Sequence, residues 1–206
     1  MTILKIDSSA RSADSHSRIL TQYLVERIAG NVIERDLVQD PLPLISGEDL
    51  LDLAASATHS RESLRVHTSR SDTLINELMK AEELVFGVAM YNFTIPSSLK
   101  QWVDYVCRAG ITFKYGEKGP MGLTSIKRAF IVTSSGGVPI GSDMDYASRY
   151  LEQICHFIGV EEVIHIKAGG DLGTPEQVIA QAKQQIDKIV ALVPDQLALE
   201  STMGCV

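Results

Sequence analysis

Three short runs of this chain are apolar on nearly every consecutive residue, and they constrain the fold more than any other feature. They lie at 3–6 (ILKI), 84–88 (LVFGV) and 130–132 (FIV). A strand with one side in water alternates apolar and polar residues, whereas a strand covered on both faces is apolar throughout. The runs therefore predict a parallel sheet with helices packed on both of its faces.

Five segments of this kind are predicted as strands, at 2–7, 32–37, 84–89, 127–133 and 162–168. Between them the apolar residues recur every three or four positions, which is typical of helices. Alternation of strands and helices predicts an α/β fold with a doubly wound parallel sheet. The simplest order of its five strands is 2-1-3-4-5, with right-handed crossovers.

Four helices are predicted from this periodicity and from signals at their ends: 15–28, 96–109, 143–158 and 174–193. In the last, Thr174 and Gln177 form a capping box and Pro194 ends the helix. We expect Ser142 and Asp145 to begin the third. Residues 46–81 are expected to be helical in pieces, and 111–125 to form a small hairpin.

Composition excludes several classes of protein. Asp and Glu outnumber Lys and Arg by 26 to 19, and the basic residues are scattered, which argues against a nucleic-acid partner. No apolar window is long enough to span a membrane, and no signal peptide is evident. The three cysteines show no CxxC spacing, so we expect no metal site and a cytoplasmic location. One domain is expected over residues 1–206, with a flexible tail at 199–206.

In a sheet of this order, ligands bind at the carboxyl ends of the strands, where the winding reverses. The loop after the first strand carries Ser9, Ser15 and Ser17 at the start of a helix. Hydroxyls and free N–H groups at the positive end of a helix dipole form a phosphate site. The alternative is that Ser15 only caps the helix.

The loops after the third and fourth strands predict a site for a flat ring. Met90, Tyr91, Asn92 and Phe93 place large side chains at a strand end, where they can pack on a planar heteroaromatic ligand. The Gly136-Gly137 pair lets backbone N–H groups approach the polar edge of such a ligand. The alternatives are that Met90 and Phe93 close the core and that the glycines form an ordinary turn.

Other catalytic motifs are absent from the sequence, which contains no G-x-S-x-G, no G-x-x-x-x-G-K-[ST], no H-E-x-x-H and no G-x-G-x-x-G. The predicted phosphate site and ring site together describe a mononucleotide. The chain resembles the FMN-dependent NADH azoreductases, which are flavodoxin-like quinone reductases. The resemblance rests on SSxxSxDSHS near the start, AMYNFTIP, LKxWxDYVxRAGxTFxY, TSxGG and FIG at 157–159.

This resemblance implies roles for named residues. Ser9, Ser15, His16 and Ser17 would hold the FMN phosphate, with His16 standing where relatives often carry Gln. The isoalloxazine ring would be lined by Met90, Tyr91, Asn92 and Phe93, and its pyrimidine edge by Ser134, Ser135, Gly136 and Gly137. Tyr115 and Phe157 would border the substrate, with Phe157 a candidate to reach it from a partner subunit.

The implied reaction is a two-electron transfer from NAD(P)H through bound FMN to quinones and aromatic azo compounds, by ping-pong hydride transfer. NADH is the expected donor, one FMN is expected per subunit, and a homodimer is expected. Backbone N–H groups of Asn92, Gly136 and Gly137 would stabilise charge on the reduced flavin. Two alternatives are a flavodoxin-type electron carrier without turnover of its own and an NAD(P)H:FMN reductase.

Overall fold

A five-stranded parallel sheet forms the centre of the protein. The computed structural model describes residues 1–49 and 65–192. The sheet strands are β1 (Thr2–Asp7), β2 (Asn31–Asp36), β3 (Glu83–Ala89), β6 (Arg128–Ser135) and β7 (Glu162–Gly169). Their order is β2-β1-β3-β6-β7, which confirms the predicted order 2-1-3-4-5. Each predicted strand lies within two residues of the observed one.

Helices cover both faces, as the apolar runs require. They are α1 (His16–Ile28), α2 (Arg65–Lys80), α3 (Ser97–Val106), α4 (Tyr146–Ile158) and α5 (Pro175–Leu192). One buried cluster joins α1 and α5 to one face through residues such as Leu20 and Ile186. A second joins α2, α3 and α4 to the other face through residues such as Leu74 and Leu99. All seven residues of β3 are buried, because this strand lies between the two clusters.

A small antiparallel hairpin, β4 (Phe113–Gly116) and β5 (Gly119–Gly122), lies between α3 and β6, which confirms the predicted excursion. The capping box of α5 is also confirmed, because Thr174 N–H donates to Gln177 Oε1 at 2.9 Å and Gln177 N–H donates to Thr174 Oγ1 at 3.4 Å. The helical pieces predicted at 46–81 are confirmed in α2. Residues 50–64, Pro194 and the tail at 199–206 lie outside the described residues, and the extent of the domain stays a prediction.

Two helix ends differ from prediction. The helix predicted over 96–109 ends at Val106, because the Thr112 hydroxyl accepts from Arg108 N–H at 3.0 Å and donates to Val106 carbonyl at 2.7 Å. The helix predicted from 143 begins at Tyr146, and Ser142 was the wrong cap. Asp145 caps it, since its Oδ1 accepts from the N–H groups of residues 147 and 148 at 3.0 and 2.9 Å.

Candidate active site

Three loops meet at the carboxyl edge of the sheet, because β1, β3 and β6 are neighbours there. Hydrogen bonds tie the loops together. Ala10 N–H donates to the Tyr91 hydroxyl at 3.2 Å, which joins the first loop to the second. Met90 N–H donates to Ser134 carbonyl at 2.8 Å, and Tyr146 N–H donates to Phe93 carbonyl at 3.0 Å. The predicted phosphate and ring sites are therefore parts of one continuous surface.

The phosphate end of this surface is built on the N-terminus of α1. Ser15 is the N-cap residue, yet its side chain makes no capping hydrogen bond. Its Oγ instead lies 3.2 Å from Ser17 Oγ, and both residues are buried. The first turn of α1 holds no acidic side chain, so none of its own residues neutralises the helix dipole there. The alternative in which Ser15 serves only as a cap is wrong for its side chain.

Ser9 and His16 flank these two hydroxyls along the chain. Ser9 is buried, and its Oγ accepts from Arg11 N–H at 3.3 Å, which bends the loop into a short turn. His16 is the first residue of α1 and is half-buried. Preceding Ser9, Ser8 anchors the loop to the sheet, because its N–H and its hydroxyl both donate to Gly87 carbonyl, at 3.1 and 2.7 Å.

The second loop begins with a tight turn in a sparsely populated conformation. Tyr91 and Thr94 exchange both backbone hydrogen bonds, at 3.0 and 3.1 Å. The two central residues, Asn92 and Phe93, have φ of 49° and 70°, which defines a type I′ turn. Asn tolerates this region, but for Phe it costs roughly 1–2 kcal/mol. Strain of this kind concentrates at functional sites.

The turn presents its rings outward. Phe93 is 50% exposed and Tyr91 37% exposed, so the alternative in which Phe93 closes the core is wrong, whereas Met90 does pack against the core. A cavity of about 520 Å³ lies beside the turn, between the start of α3 and Tyr150 of α4. Burial raises the pKa of Tyr150 to about 12, so its phenol stays neutral there.

The third loop carries the two glycines. A methyl group added to Gly136 or Gly137 would meet no atom within 4 Å in the described structure. Packing of the described residues therefore does not explain glycine at these two positions, because the space that a side chain would take is open. Ser134 and Ser135 precede them at the end of β6, where Ser135 Oγ donates to Val138 carbonyl at 2.5 Å.

Asp145 supports the third loop, a role that the sequence did not reveal, since it predicted this residue only at the start of α4. Besides capping α4, its Oδ2 accepts from Gly141 N–H at 2.8 Å and from Ser148 Oγ at 2.6 Å. Burial raises the pKa of its carboxyl, but the hydrogen bonds from Ser148, Gly141 and Ala147 together lower this pKa by a larger amount, so the net shift is downward. The ionised carboxylate thus holds the third loop against α4.

Tyr115 and Phe157 do not join the three loops within one chain. Both contact Phe113, with ring centroids 5.5 and 4.2 Å apart. Phe157 lies near the end of α4, about 16 Å along the helix axis from Tyr146 at about 1.5 Å per residue. Thr124 N–H, just after the hairpin, donates to Ile158 carbonyl at 3.0 Å, so the hairpin also lies at this end. These two aromatics therefore occupy the amino edge of the sheet, opposite the loops.

The residues at the carboxyl edge fit the FMN that the resemblance implies. Two buried hydroxyls at a helix N-terminus, hydrogen-bonded to each other and not to the helix backbone, suit a phosphate, and the open space beside Gly136 and Gly137 leaves room for a ring edge. The exposed rings of Tyr91 and Phe93 suit a flat ligand.

None of the helices in the described part of the chain combines the length and apolar character needed to cross a membrane.

Similarity to known proteins agrees with this geometry. Residues 1–190 match the family described as having the flavodoxin-like fold. "FMN-dependent NADH:quinone oxidoreductase 1" of Hahella chejuensis is 43% identical over 189 residues, covering 89% of this chain and 92% of the relative. "FMN-dependent NADH:quinone oxidoreductase" of Azotobacter vinelandii is 40% identical over 197 residues, covering 91% and 98%.

A solved structure described as azoreductase AzrA superposes with a TM-score of 0.82 at 26% identity, covering 93% of this chain and 99% of that one. The likeness of fold thus extends over nearly the whole length of both chains. With a family match over most of its length and relatives at about 40% identity, the chain belongs to the flavodoxin-like family of FMN-dependent NADH:quinone oxidoreductases.

Proposed function

We propose that this protein binds FMN and uses it to transfer electrons from NADH, two at a time, to quinones and to aromatic azo compounds. One transfer with two protons reduces a quinone to a hydroquinone, and two successive transfers with four protons cleave an azo bond to two amines. The names of its relatives support the quinone activity, and the azoreductase structure supports the azo activity. When bound, FMN supplies the hydride chemistry, and NADH and the acceptor take turns at its exposed face. The protein supplies position and hydrogen-bond donors.

The observation that carries the proposal is the Ser15 side chain. An N-cap serine normally accepts a hydrogen bond from the helix, which stabilises the helix end. Here the hydroxyl forgoes that bond and faces Ser17, at the positive end of a helix with no acid in its first turn. A phosphate oxygen would satisfy both hydroxyls and the free N–H groups together. Ser9 and His16 complete the set of residues around this phosphate.

The ring of FMN would lie across the other two loops. Tyr91 and Phe93 offer aromatic surface and Met90 a polarizable side chain. The type I′ turn leaves the Asn92 N–H outside the bonds that Tyr91 and Thr94 exchange, so it can donate to the ring. N–H groups at Gly136 and Gly137, next to Ser134 and Ser135, would donate at the pyrimidine edge. Preorganised donors of this kind stabilise negative charge that develops during reduction.

A homodimer is part of the proposal, because Tyr115 and Phe157 lie at the edge opposite the flavin loops. Tyr115 is 75% exposed, although an aromatic ring of this size is usually covered. A second copy related by a two-fold axis could place these rings over the first copy's flavin site. Each site would then be walled by residues of both chains.

Steady-state oxidation of NADH tests the function directly. Purified protein reconstituted with FMN, without any partner protein, should oxidise NADH with benzoquinone and bleach an aromatic azo dye. Ser15→Ala should raise the Kd for FMN about tenfold by removing one hydrogen bond to a charged group. Ser69→Ala, the same change on the exposed side of α2, serves as the matched control.

Three outcomes distinguish the alternatives. Retained FMN without NADH turnover would indicate a flavodoxin-type carrier, and release of FMN during gel filtration after turnover would indicate an NAD(P)H:FMN reductase. Turnover with retained FMN supports the oxidoreductase. Repeating the assay with NADPH compares the two donors.

We place the protein in the cytoplasm, a reducing compartment, which suits the free thiols of Cys107 and Cys155.

A further inference from the structure

Arg18, in the first turn of α1, connects three parts of the chain. Its Nε donates to Arg11 carbonyl at 3.1 Å and its Nη2 donates to Ser9 carbonyl at 2.9 Å. The same guanidinium grips Asp36 at the end of β2, with Nη2 2.9 Å from Oδ1 and Nη1 bonded to Oδ2. The side chain is 16% exposed, and its bonds to Ser9 and Asp36 are partly buried, whereas its bond to Arg11 lies at the surface.

Asp36 is itself held in place. Its Oδ1 also accepts from the N–H groups of Val38 and Gln39, at 3.0 and 3.2 Å, which shape the turn after β2. Hydrogen bonding from Arg18 is the largest of the effects that lower the pKa of Asp36, so the carboxylate stays ionised at neutral pH. The guanidinium is therefore anchored to the sheet on one side and to the first loop on the other.

The peptide between Ser9 and Ala10 shows what this anchoring does. Its carbonyl accepts from Arg18 at 2.9 Å, while its N–H donates to the Tyr91 hydroxyl at 3.2 Å. In a trans peptide the C=O and N–H bonds point in opposite directions, so fixing one fixes the other. Arg18 draws two carbonyls of the loop, at residues 9 and 11, toward itself. Carbonyl oxygens would repel a phosphate, and here they are turned toward a cation instead.

We propose that Arg18, held by Asp36, is a positioning residue for the phosphate of FMN: it fixes the loop at 9–11 in the shape that presents hydroxyls and N–H groups to the phosphate. The inference rests on the proposed function. Four of the five N–H groups of Arg18 already bond two carbonyls and one carboxylate, so the residue acts on the phosphate mainly through the loop that it holds.

The guanidinium shape is essential to this role. A planar fork can hold a carboxylate with two parallel bonds while other N–H groups reach two carbonyls. Lysine carries the same charge as a single point on a flexible stem and cannot span these acceptors. If Arg18 positions the loop, Arg18→Lys should weaken FMN binding. If Arg18 only attracts the phosphate by its charge, Arg18→Lys should leave FMN binding unchanged.

Binding of FMN and of riboflavin to the apoprotein, followed by quenching of flavin fluorescence, tests the inference. Riboflavin lacks the phosphate, so it reports everything except the phosphate site. Arg18→Lys and Asp36→Asn should each weaken FMN binding about tenfold, the size expected for a disturbed charge-assisted hydrogen bond. Riboflavin binding should change less than about twofold.

Asp36→Asn separates positioning from charge. Removing a negative charge near a phosphate would tighten FMN binding if attraction alone mattered, whereas loss of the anchor would weaken it. Arg128→Lys is the matched control, because Arg128 pairs with buried Glu83 at the amino ends of β3 and β6. Thermal melting of each apoprotein shows that it is folded.

Equal losses for FMN and riboflavin, tighter FMN binding by Asp36→Asn, or unchanged binding by Arg18→Lys would each overturn the inference. A wild-type protein that fails to prefer FMN over riboflavin would instead overturn the proposed phosphate site, so the two failures are distinguishable.

Discussion

Gly87, in the middle of β3, lies against the buried carboxylate of Asp7. A methyl group at this position would overlap Asp7 Oδ1 and come within 3.1 Å of Thr21 Cγ2. Asp7 is 6% exposed, and its Oδ1 accepts from Thr21 Oγ1 at 2.9 Å. Gly87→Ala therefore forces the carboxylate away from the hydroxyl that stabilises its charge.

The expected cost follows from these contacts. Loss of a buried hydrogen bond to a charged group costs about 1.5–3 kcal/mol. Alanine in a strand recovers about 0.5–1 kcal/mol relative to glycine. The free energy of unfolding of Gly87→Ala should fall by about 1–2 kcal/mol, which for a protein of this size lowers Tm by about 5 °C.

A double-mutant cycle assigns the cost to this contact. Asp7→Ala removes the overlapping carboxylate and leaves Lys5 paired with Glu34 at 3.0 Å, so in that background Gly87→Ala should be neutral or slightly stabilising. Urea unfolding of the four apoproteins measures the coupling, expected to be about 2 kcal/mol. Gly47→Ala is the control, since no atom of residues 1–49 or 65–192 lies within 4 Å of its added methyl. An equal cost of Gly87→Ala in both backgrounds would refute the reasoning.

Three further predictions concern the loops and the two cysteine thiols. The methyl group of Gly136→Ala meets no atom of the described chain within 4 Å, so the apoprotein Tm should hold within about 2 °C while the Kd for FMN rises about tenfold; an unchanged Kd contradicts close approach of a ligand. The pKa of Asp36 is lowered chiefly by the hydrogen bond from Arg18. The stability that this ion pair adds to the folded protein is therefore present above pH 3.8, the usual pKa of aspartate, and is lost as the pH falls below that value. As the pH is lowered from 5 to 3, the Tm of the wild type should therefore fall more steeply than the Tm of Arg18→Gln. Parallel curves of Tm against pH would show that the Arg18–Asp36 pair does not cause the loss of stability. Burial raises the pKa of Cys107 and Cys155 to about 12, so after iodoacetamide at pH 8 peptide mass spectrometry should find both unmodified.

Much of the fold is predictable from sequence because burial on two faces is visible as continuous apolar runs. The strand order follows from chain connectivity and the handedness of crossovers. Helix ends are harder, since a cap depends on side chains that compete for the same N–H groups. Asp145 rather than Ser142 caps α4, because the carboxylate is an ionised acceptor that also binds Gly141 and Ser148.

In the candidate site, too, some residues are predictable from the sequence and others are not. Its serines, turn residues and glycines are predictable because they follow adjacent strands, whose ends meet at one edge. Arg18 is not, because its partners at 9, 11 and 36 are brought to it only by the fold. The positions of Tyr115 and Phe157 at the opposite edge are also hidden from pattern analysis, since a motif shows which residues recur and not which edge they occupy.

The separation of those aromatics from the flavin loops has a genetic consequence. In a two-fold pair, a chain damaged at Ser15 keeps a sound hairpin, and a chain damaged at Tyr115 keeps sound loops. When the two defective chains assemble together, one of the two sites combines the sound parts of both, and the other collects both defects. If the proposed homodimer forms, co-expressed alleles of this protein should complement one another, because each mixed dimer would carry one sound site of two and about half the activity of a wild-type dimer.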